Sequence, residues 1–213
     1  MIAFVSKFLV LHPMGMFDPN LRYNQYLREQ GYVSDNPWND FVISALNDAG
    51  EVVSGFYMRN AHLPARVSAE HSETAYMTRR AIDFIREAGD EPWSLHLSYI
   101  KPHWPYMVPS PYHSIYGVED ILPAVRSDEE RADPHPVVKA FMNHGESVVL
   151  SDDAARQNVI PTYMGLVKEI DDHVGHLMTA LSDLGRSGDT LIVLTSDHGD
   201  YLGDHWLGEK ELF

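Results

Sequence analysis

The stretch Thr190-Leu191-Ile192-Val193-Leu194-Thr195, followed at once by Ser196-Asp197-His198-Gly199-Asp200, decides the reading of the fold. Its first six residues form a continuous aliphatic and β-branched run, the pattern of a strand buried on both faces. Upstream, Tyr163, Leu166, Val167, Ile170, Val174, Leu177, Met178, Leu181 and Leu184 recur at spacings of three and four, the apolar stripe of an amphipathic helix that Gly185 ends. Helix, a short turn around Ser187-Gly188-Asp189, and buried strand is the grammar of an α/β fold. Ligands in open α/β sheets bind beyond the carboxyl ends of strands, so the polar residues after Thr195 stand where a site is expected.

Working outward from that unit, Asn20 to Gln30 is a short helix candidate ending at Gly31. Phe41 to Leu46 and Val52 to Tyr57 are β-prone, and Asn47-Asp48-Ala49-Gly50 between them suits a hairpin turn. Ser72 to Ala88 reads as a helix closed by Gly89, and Trp93 to Ile100 alternates as a strand. The strand runs into Lys101-Pro102-His103-Trp104-Pro105-Tyr106, where two prolines stop regular structure. Met107 to Val159 predicts an irregular surface excursion with short helices near Val137 to Asn143 and Asp152 to Gln157.

Composition narrows the classes of function. With 213 residues, 44% of them hydrophobic, the chain has room for one core and predicts one domain or a piece of a larger one. Thirty-one acidic against 16 basic side chains give a net charge of −15, which opposes nucleic acid phosphates and anionic membrane surfaces. There is no cysteine, hence no disulfide and no thiolate ligand or nucleophile among these residues. Met1 to Leu11 is apolar but interrupted by Lys7, without the flanks of a signal peptide, and no stretch reaches the roughly 20 apolar residues of a spanning helix. The expected location is cytoplasmic.

Asp197 to Lys210 gathers Asp197, His198, Asp200, Asp204, His205 and Lys210, interleaved with Gly199, Gly203 and Gly208, which let a backbone fold closely around a small centre. Carboxylate plus imidazole is a ligand set for a divalent metal, and the mixture favours manganese, zinc or iron over calcium. On residue types alone a solvated acidic loop, with Asp197 capping the next helix, is equally open.

Thr195-Ser196-Asp197-His198-Gly199-Asp200-Tyr201-Leu202-Gly203-Asp204-His205 resembles the TSDHGExLGDH signature of the sulfatase branch of the alkaline phosphatase superfamily, with Asp200 where Glu is usual. Lys101 to Tyr106 resembles that family's PHxPY segment, and Pro111-Tyr112-His113 continues the pattern of its phosphonate monoester hydrolases. Tyr163 to Thr195 is similar to the helix YxGLIxEVDDxxGRL and the strand after it, so the resemblance is clearest over residues 71–213. It implies an alkaline phosphatase-like α/β fold, a mixed sheet flanked by helices, of which residues 1–213 are a portion of a single catalytic domain. It further implies Asp197 and His198 as metal ligands, with manganese first and zinc, iron or calcium as alternatives. His103 and Lys210 are implied to contact sulfate or phosphate oxygens, where a metal and cationic donors stabilise developing charge. Taken singly, His103 reads better as an ordinary turn histidine and Lys210 as a surface lysine; it is the paired motifs, in order, that favour the site.

The chain also departs from the family. No acidic pair follows an N-terminal strand, and no C/S-x-P-S-R motif supplies a formylglycine nucleophile. His62-Leu63-Pro64-Ala65-Arg66 imitates that motif by coincidence, with too few residues between it and His103. The chain therefore reads as a fragment of a sulfatase-type enzyme acting on small anionic esters, or alternatively as a non-catalytic remnant that binds metal or a partner. A fragment exposes core surface, so a homo-oligomer is a further expectation. His113, His205 and Asp171 are second-rank candidates for orienting ligands or substrate oxygens. The i, i+3 pair His173 and His176 reads as exposed, and Trp93, Trp104 and Tyr106 as packing or pocket walls.

Overall fold

The computed structural model describes residues 7–11 and 22–210. The rest of the apolar stretch from Met1 to Phe17, and the first residues of the helix expected from Asn20, lie outside the described residues. Strand β1 (Lys7–Leu11) pairs in parallel with β4 (Trp93–Leu97), Leu9 opposite Leu95. Helix α1 (Arg22–Glu29) precedes Gly31, whose φ of 92° closes it. The expected hairpin forms from β2 (Ser44–Leu46) and β3 (Val52–Ser54), antiparallel. The Asn47 side chain accepts from the amides of Ala49 (3.0 Å) and Glu51 (2.9 Å), which sets the turn. Phe41 and Val42, expected in the first strand, instead belong to a π-helical turn, Trp38–Val42, whose leading Trp38 amide is taken by the buried Asn24 side chain (2.8 Å).

Helix α2 (Glu73–Ala88) is capped by Ser72, which accepts from the Ala75 amide at 3.1 Å. The expected irregular excursion carries three short helices, α3 (Asp128–Ala132), α4 (Pro136–Met142) and α5 (Gly145–Leu150). The amphipathic helix is longer than its stripe: α6 (Asp153–Asp183) starts at Asp152, whose side chain accepts from the Ala154 amide, and runs through Pro161. Its buried residues are Arg156, Val159, Pro161, Thr162, Gly165, Leu166 and Glu169, then Ala180 and Leu181. Val167, Met178 and Leu184 of the predicted stripe are exposed, since α6 packs chiefly through its first half and its last turn.

The buried strand expected at Thr190 to Thr195 does not form among the described residues. The run forms no ladder with any described strand, and Leu191, Val193 and Leu194 are 90%, 76% and 78% exposed. A β-prone sequence becomes a strand only when a neighbour takes its amides and carbonyls, and none of the described strands does. The described sheet content is therefore a parallel pair and an antiparallel hairpin.

Two apolar clusters share one connecting segment. Met107 packs with Tyr23, Leu27, Trp38, Val42 and Ile43, whereas Tyr106 and Val108 pack with Met58, Leu150, Val159 and Leu166. Three consecutive residues, 106–108, thus serve both clusters at once. Beside this seam lies a polar core: Lys101, Glu73 and Glu169 are 8%, 7% and 1% exposed. Burial pushes both carboxyls up to about 7, partly offset by Lys101, and pushes the Lys101 ammonium down to about 8.

Both carboxyls hold their protons more tightly folded than unfolded. Their contribution to stability is present below the ordinary value of 4.5 and is lost as pH rises through about 7. Glu169→Gln cannot acquire that buried charge. Urea denaturation is expected to show its stability gaining on wild type by at least about 1 kcal/mol between pH 5 and pH 8, since a tenfold difference in proton affinity between the folded and unfolded chain corresponds to about 1.4 kcal/mol. Parallel curves for the two proteins would contradict the assignment.

Candidate active site

The prolines around His103 keep that residue off any regular element, and its ring is half-buried. His103 Nδ1 lies 2.6 Å from the Trp104 carbonyl, which only accepts, so Nδ1 carries the proton. Nε2 is left as an acceptor, and the Lys210 ammonium donates to it. Two residues that are 107 positions apart in sequence thus meet. The His198 ring stands edge-on to His103 with centroids 6.4 Å apart. Of the residues predicted from sequence, His103, Lys210 and His198 are brought together.

The signature loop reaches this position through three ties. Tyr106 OH, at the buried end of the turn, donates to Asp200 Oδ2 at 2.5 Å, and Asp200 Oδ1 accepts from the Leu202 amide at 2.9 Å. Burial, and then the Asp200 carboxylate, hold the Tyr106 phenol far above its usual range. From α6, Arg156 Nε donates to the Leu202 carbonyl at 3.0 Å. Gly203 has φ 96°, and a Cβ there would stand 2.4 Å from the Leu150 carbonyl oxygen, so the close approach of loop to α5 requires glycine.

Asp197 and His198 offer two donors of the type a divalent ion takes. His198 Nδ1 donates to the Gly199 carbonyl at 2.7 Å, which fixes the tautomer that presents Nε2 as a ligand atom, as in metal-binding histidines generally. That Nε2 lies 3.6 Å from Asp197 Oδ2, on a carboxylate 87% exposed. The pair fits part of a coordination shell; among the described residues no group of three or more His, Cys, Asp or Glu completes one. A cavity of about 620 Å³ lined by Leu122, Arg126, Asp153, Arg156 and Trp206 contains none of these candidates.

The second-rank candidates make contacts of their own. His205 Nδ1 pairs with Glu130 Oε1 at 2.7 Å, and Asp171 is exposed beside Lys168 at 3.6 Å. The His113 Nδ1 is buried without a hydrogen-bond partner among the described residues, and burial lowers its basicity. His176 is exposed as expected, while burial drives its neighbour His173 down to about 4. Three contributors escape a reading of the sequence: Asp200 as the partner of Tyr106, the tether Arg156, and Glu209. The Glu209 carboxyl is raised by burial, with His103 and Lys210 acting against that rise. Only Asp200 carries a visible signal, its place in the signature.

Residues 24–212 match the family model described as Sulfatase. A multifunctional alkaline phosphatase superfamily protein of Trinickia caryophylli is 36% identical over 208 residues, covering 91% of this chain and 39% of that protein. An arylsulfatase of Clostridium perfringens is 29% identical over 140 residues, covering 62% of this chain and 27% of its own length. Among solved structures, a phosphonate monoester hydrolase from Silicibacter pomeroyi superposes with a TM-score of 0.75 at 28% identity, covering 87% of this chain and 37% of that one. The chain spans less than half the length of these proteins.

The Tyr106–Asp200 bond is buried at the phenol and charge-assisted at the acceptor, which predicts a loss of about 1.5–3 kcal/mol for Tyr106→Phe. A double-mutant cycle with Asp200→Asn, followed by urea denaturation, should return a coupling of about 1 kcal/mol or more. Additive losses would mean the two groups do not meet.

Proposed function

The chain belongs to the sulfatase family, and we propose that it supplies the metal-facing and oxyanion-facing residues of a metal-dependent hydrolase of phosphonate monoesters, phosphodiesters or sulfate esters. The observation that carries this reading is the meeting of Lys210 Nζ with His103 Nε2, with the His198 ring 6.4 Å away. The alternative of a non-catalytic remnant gives no reason for a lysine and a histidine to converge across half the chain. Phosphonate esters are placed first because the 28% identical structural relative is named a phosphonate monoester hydrolase.

An anionic ester entering between Lys210 and His103 replaces their mutual contact with its own oxygens. In a half-buried setting the ammonium is worth more to a non-bridging or leaving oxygen than it is in water. When the bond from phosphorus or sulfur to the leaving oxygen breaks, that oxygen keeps the electron pair and needs a proton. Lys210 Nζ carries one, and His103, fixed by the Trp104 carbonyl, holds that amine in place. Asp197 and His198 would hold a divalent ion, which supplies Lewis-acid polarisation of an ester oxygen. Their carboxylate–imidazole chemistry favours manganese, then zinc or iron, with calcium last. The 213 residues contain no C/S-x-P-S-R segment, so this reading takes the nucleophile from outside them. A net charge of −15 argues against nucleic acid as the ester.

Calorimetric titration of manganese, and then of inorganic phosphate into the manganese-loaded chain, tests both halves. His198→Ala should weaken manganese at least tenfold, and Lys210→Ala should weaken phosphate about tenfold while leaving manganese unchanged. Wild-type affinities in both variants would sink the reading. Methylphosphonate binding no weaker than sulfate is expected; the reverse order would move the substrate to sulfate esters.

A further inference from the structure

The buried trio Lys101, Glu73 and Glu169 takes no part in the chemistry above, yet it sits at the root of the turn that carries His103. Lys101 Nζ donates to the Pro105 carbonyl at 2.7 Å, so a side chain two residues before His103 is tied to a carbonyl two residues after it. Within the bridged turn, the His103 amide donates to the Ile100 carbonyl at 3.0 Å and its ring to the Trp104 carbonyl. The ammonium closing this turn is 8% exposed, and the groups offsetting its lost hydration come from two helices, Glu73 from the first turn of α2 and Glu169 from the middle of α6. The negative charge of both carboxyls reaches the Tyr23 phenol, and that of Glu169 the Tyr112 phenol, raising each further. One oxygen of each carboxyl, Glu73 Oε2 and Glu169 Oε1, has no hydrogen-bond partner among the described residues.

Burying three ionisable groups is a poor way to gain stability, since packed apolar side chains of the same volume do as well or better. What a buried ammonium does provide is direction. Its hydrogen bond fixes one backbone carbonyl, which an apolar side chain cannot do, while the charges of Glu73 and Glu169 favour its ionised form. We propose that Lys101, with Glu73 and Glu169, forms a clamp that positions His103 against Lys210, and that these three are positioning residues of the oxyanion site. The proposal deepens the reading of that site and rests on it for one of its two measurements. The charges of Glu73 on α2 and Glu169 on α6 then act on the turn through the Lys101 ammonium, and the apolar seam at residues 106–108 sets only where the turn lies.

The first measurement is independent of ligand. In the full chain, the ¹⁵N resonance of His103 Nε2 is recorded with and without Lys210→Met, first in wild type and then in a Lys101→Met background. The substitution at Lys210 should shift the resonance in wild type, and at least two-thirds of that response should disappear in the Lys101→Met background. Lys101→Arg, which keeps a buried cation and a donor, should restore most of it. If Lys101→Met does not fold, as judged by circular dichroism, the Glu73→Gln and Glu169→Gln double variant replaces it with the same expected loss. A full response in the background variant, or no response in wild type, overturns the clamp.

The second measurement is phosphate affinity, expected to fall at least fivefold in Lys101→Met and to recover in Lys101→Arg. Unchanged affinity in Lys101→Met likewise counts against the clamp. Absence of phosphate binding in wild type defeats the oxyanion-site reading, while the resonance experiment still decides whether the clamp holds His103.

Discussion

Residues 106–108 are the constraint on which the rest of the structure depends. Tyr106, Met107 and Val108 are all fully buried, and the middle residue enters one apolar cluster while its neighbours enter the other. Burying side chains of this size is worth roughly 1.5–3 kcal/mol each, so the segment cannot slide by one residue without exchanging the contents of both clusters. His103 is tethered three residues upstream of that fixed point. The long helix α6 contributes Val159 and Leu166 to the same cluster as Tyr106 and Val108, and α5 contributes Leu150, so the elements around the site are referenced to one seam.

From that seam the site is assembled by polar contacts of decreasing burial. Innermost are the Lys101 trio and the Tyr106–Asp200 bond; outermost is Asp197, almost wholly in water. This gradient has a chemical sense. The groups that must keep a fixed geometry are desolvated, where a hydrogen bond is stronger and a misplaced one costs more. The Asp197 carboxylate, which would bind an ion from solution, remains accessible. Lys210 and His103 lie between these extremes, half-buried, where a charge on an entering oxyanion is stabilised more than in water and the site is still reachable.

Much of this is legible in the sequence, for reasons that differ by residue. Helix α2 can be read because its Ser72 cap and Gly89 terminus are local signals, and the hairpin because Asn47 and Gly50 carry turn chemistry in their own side chain and φ. His103, Lys210 and His198 emerge through motif resemblance; nothing in local spacing says that residues 103 and 210 touch. The failure at Thr190 to Thr195 has a different origin. The β-propensity there is real, but a ladder is a property of two segments, and the described neighbours of this run supply no partner. Lys101, Glu73 and Glu169 give no such signal, since charged residues are normally read as exposed. Glu169 does carry a hint, three residues after Leu166 and therefore on the buried side of α6.

The most direct test of the central claim, that His103, Lys210, Asp197 and His198 form one metal-linked oxyanion site, is a crystal structure of the chain grown with manganese and orthovanadate, with anomalous data collected at the manganese edge. One anomalous peak bonded to Asp197 and His198 is expected, with vanadate oxygens within hydrogen-bond distance of Lys210 Nζ and His103 Nε2. Manganese held elsewhere, or vanadate bound away from Lys210 and His103, would contradict it.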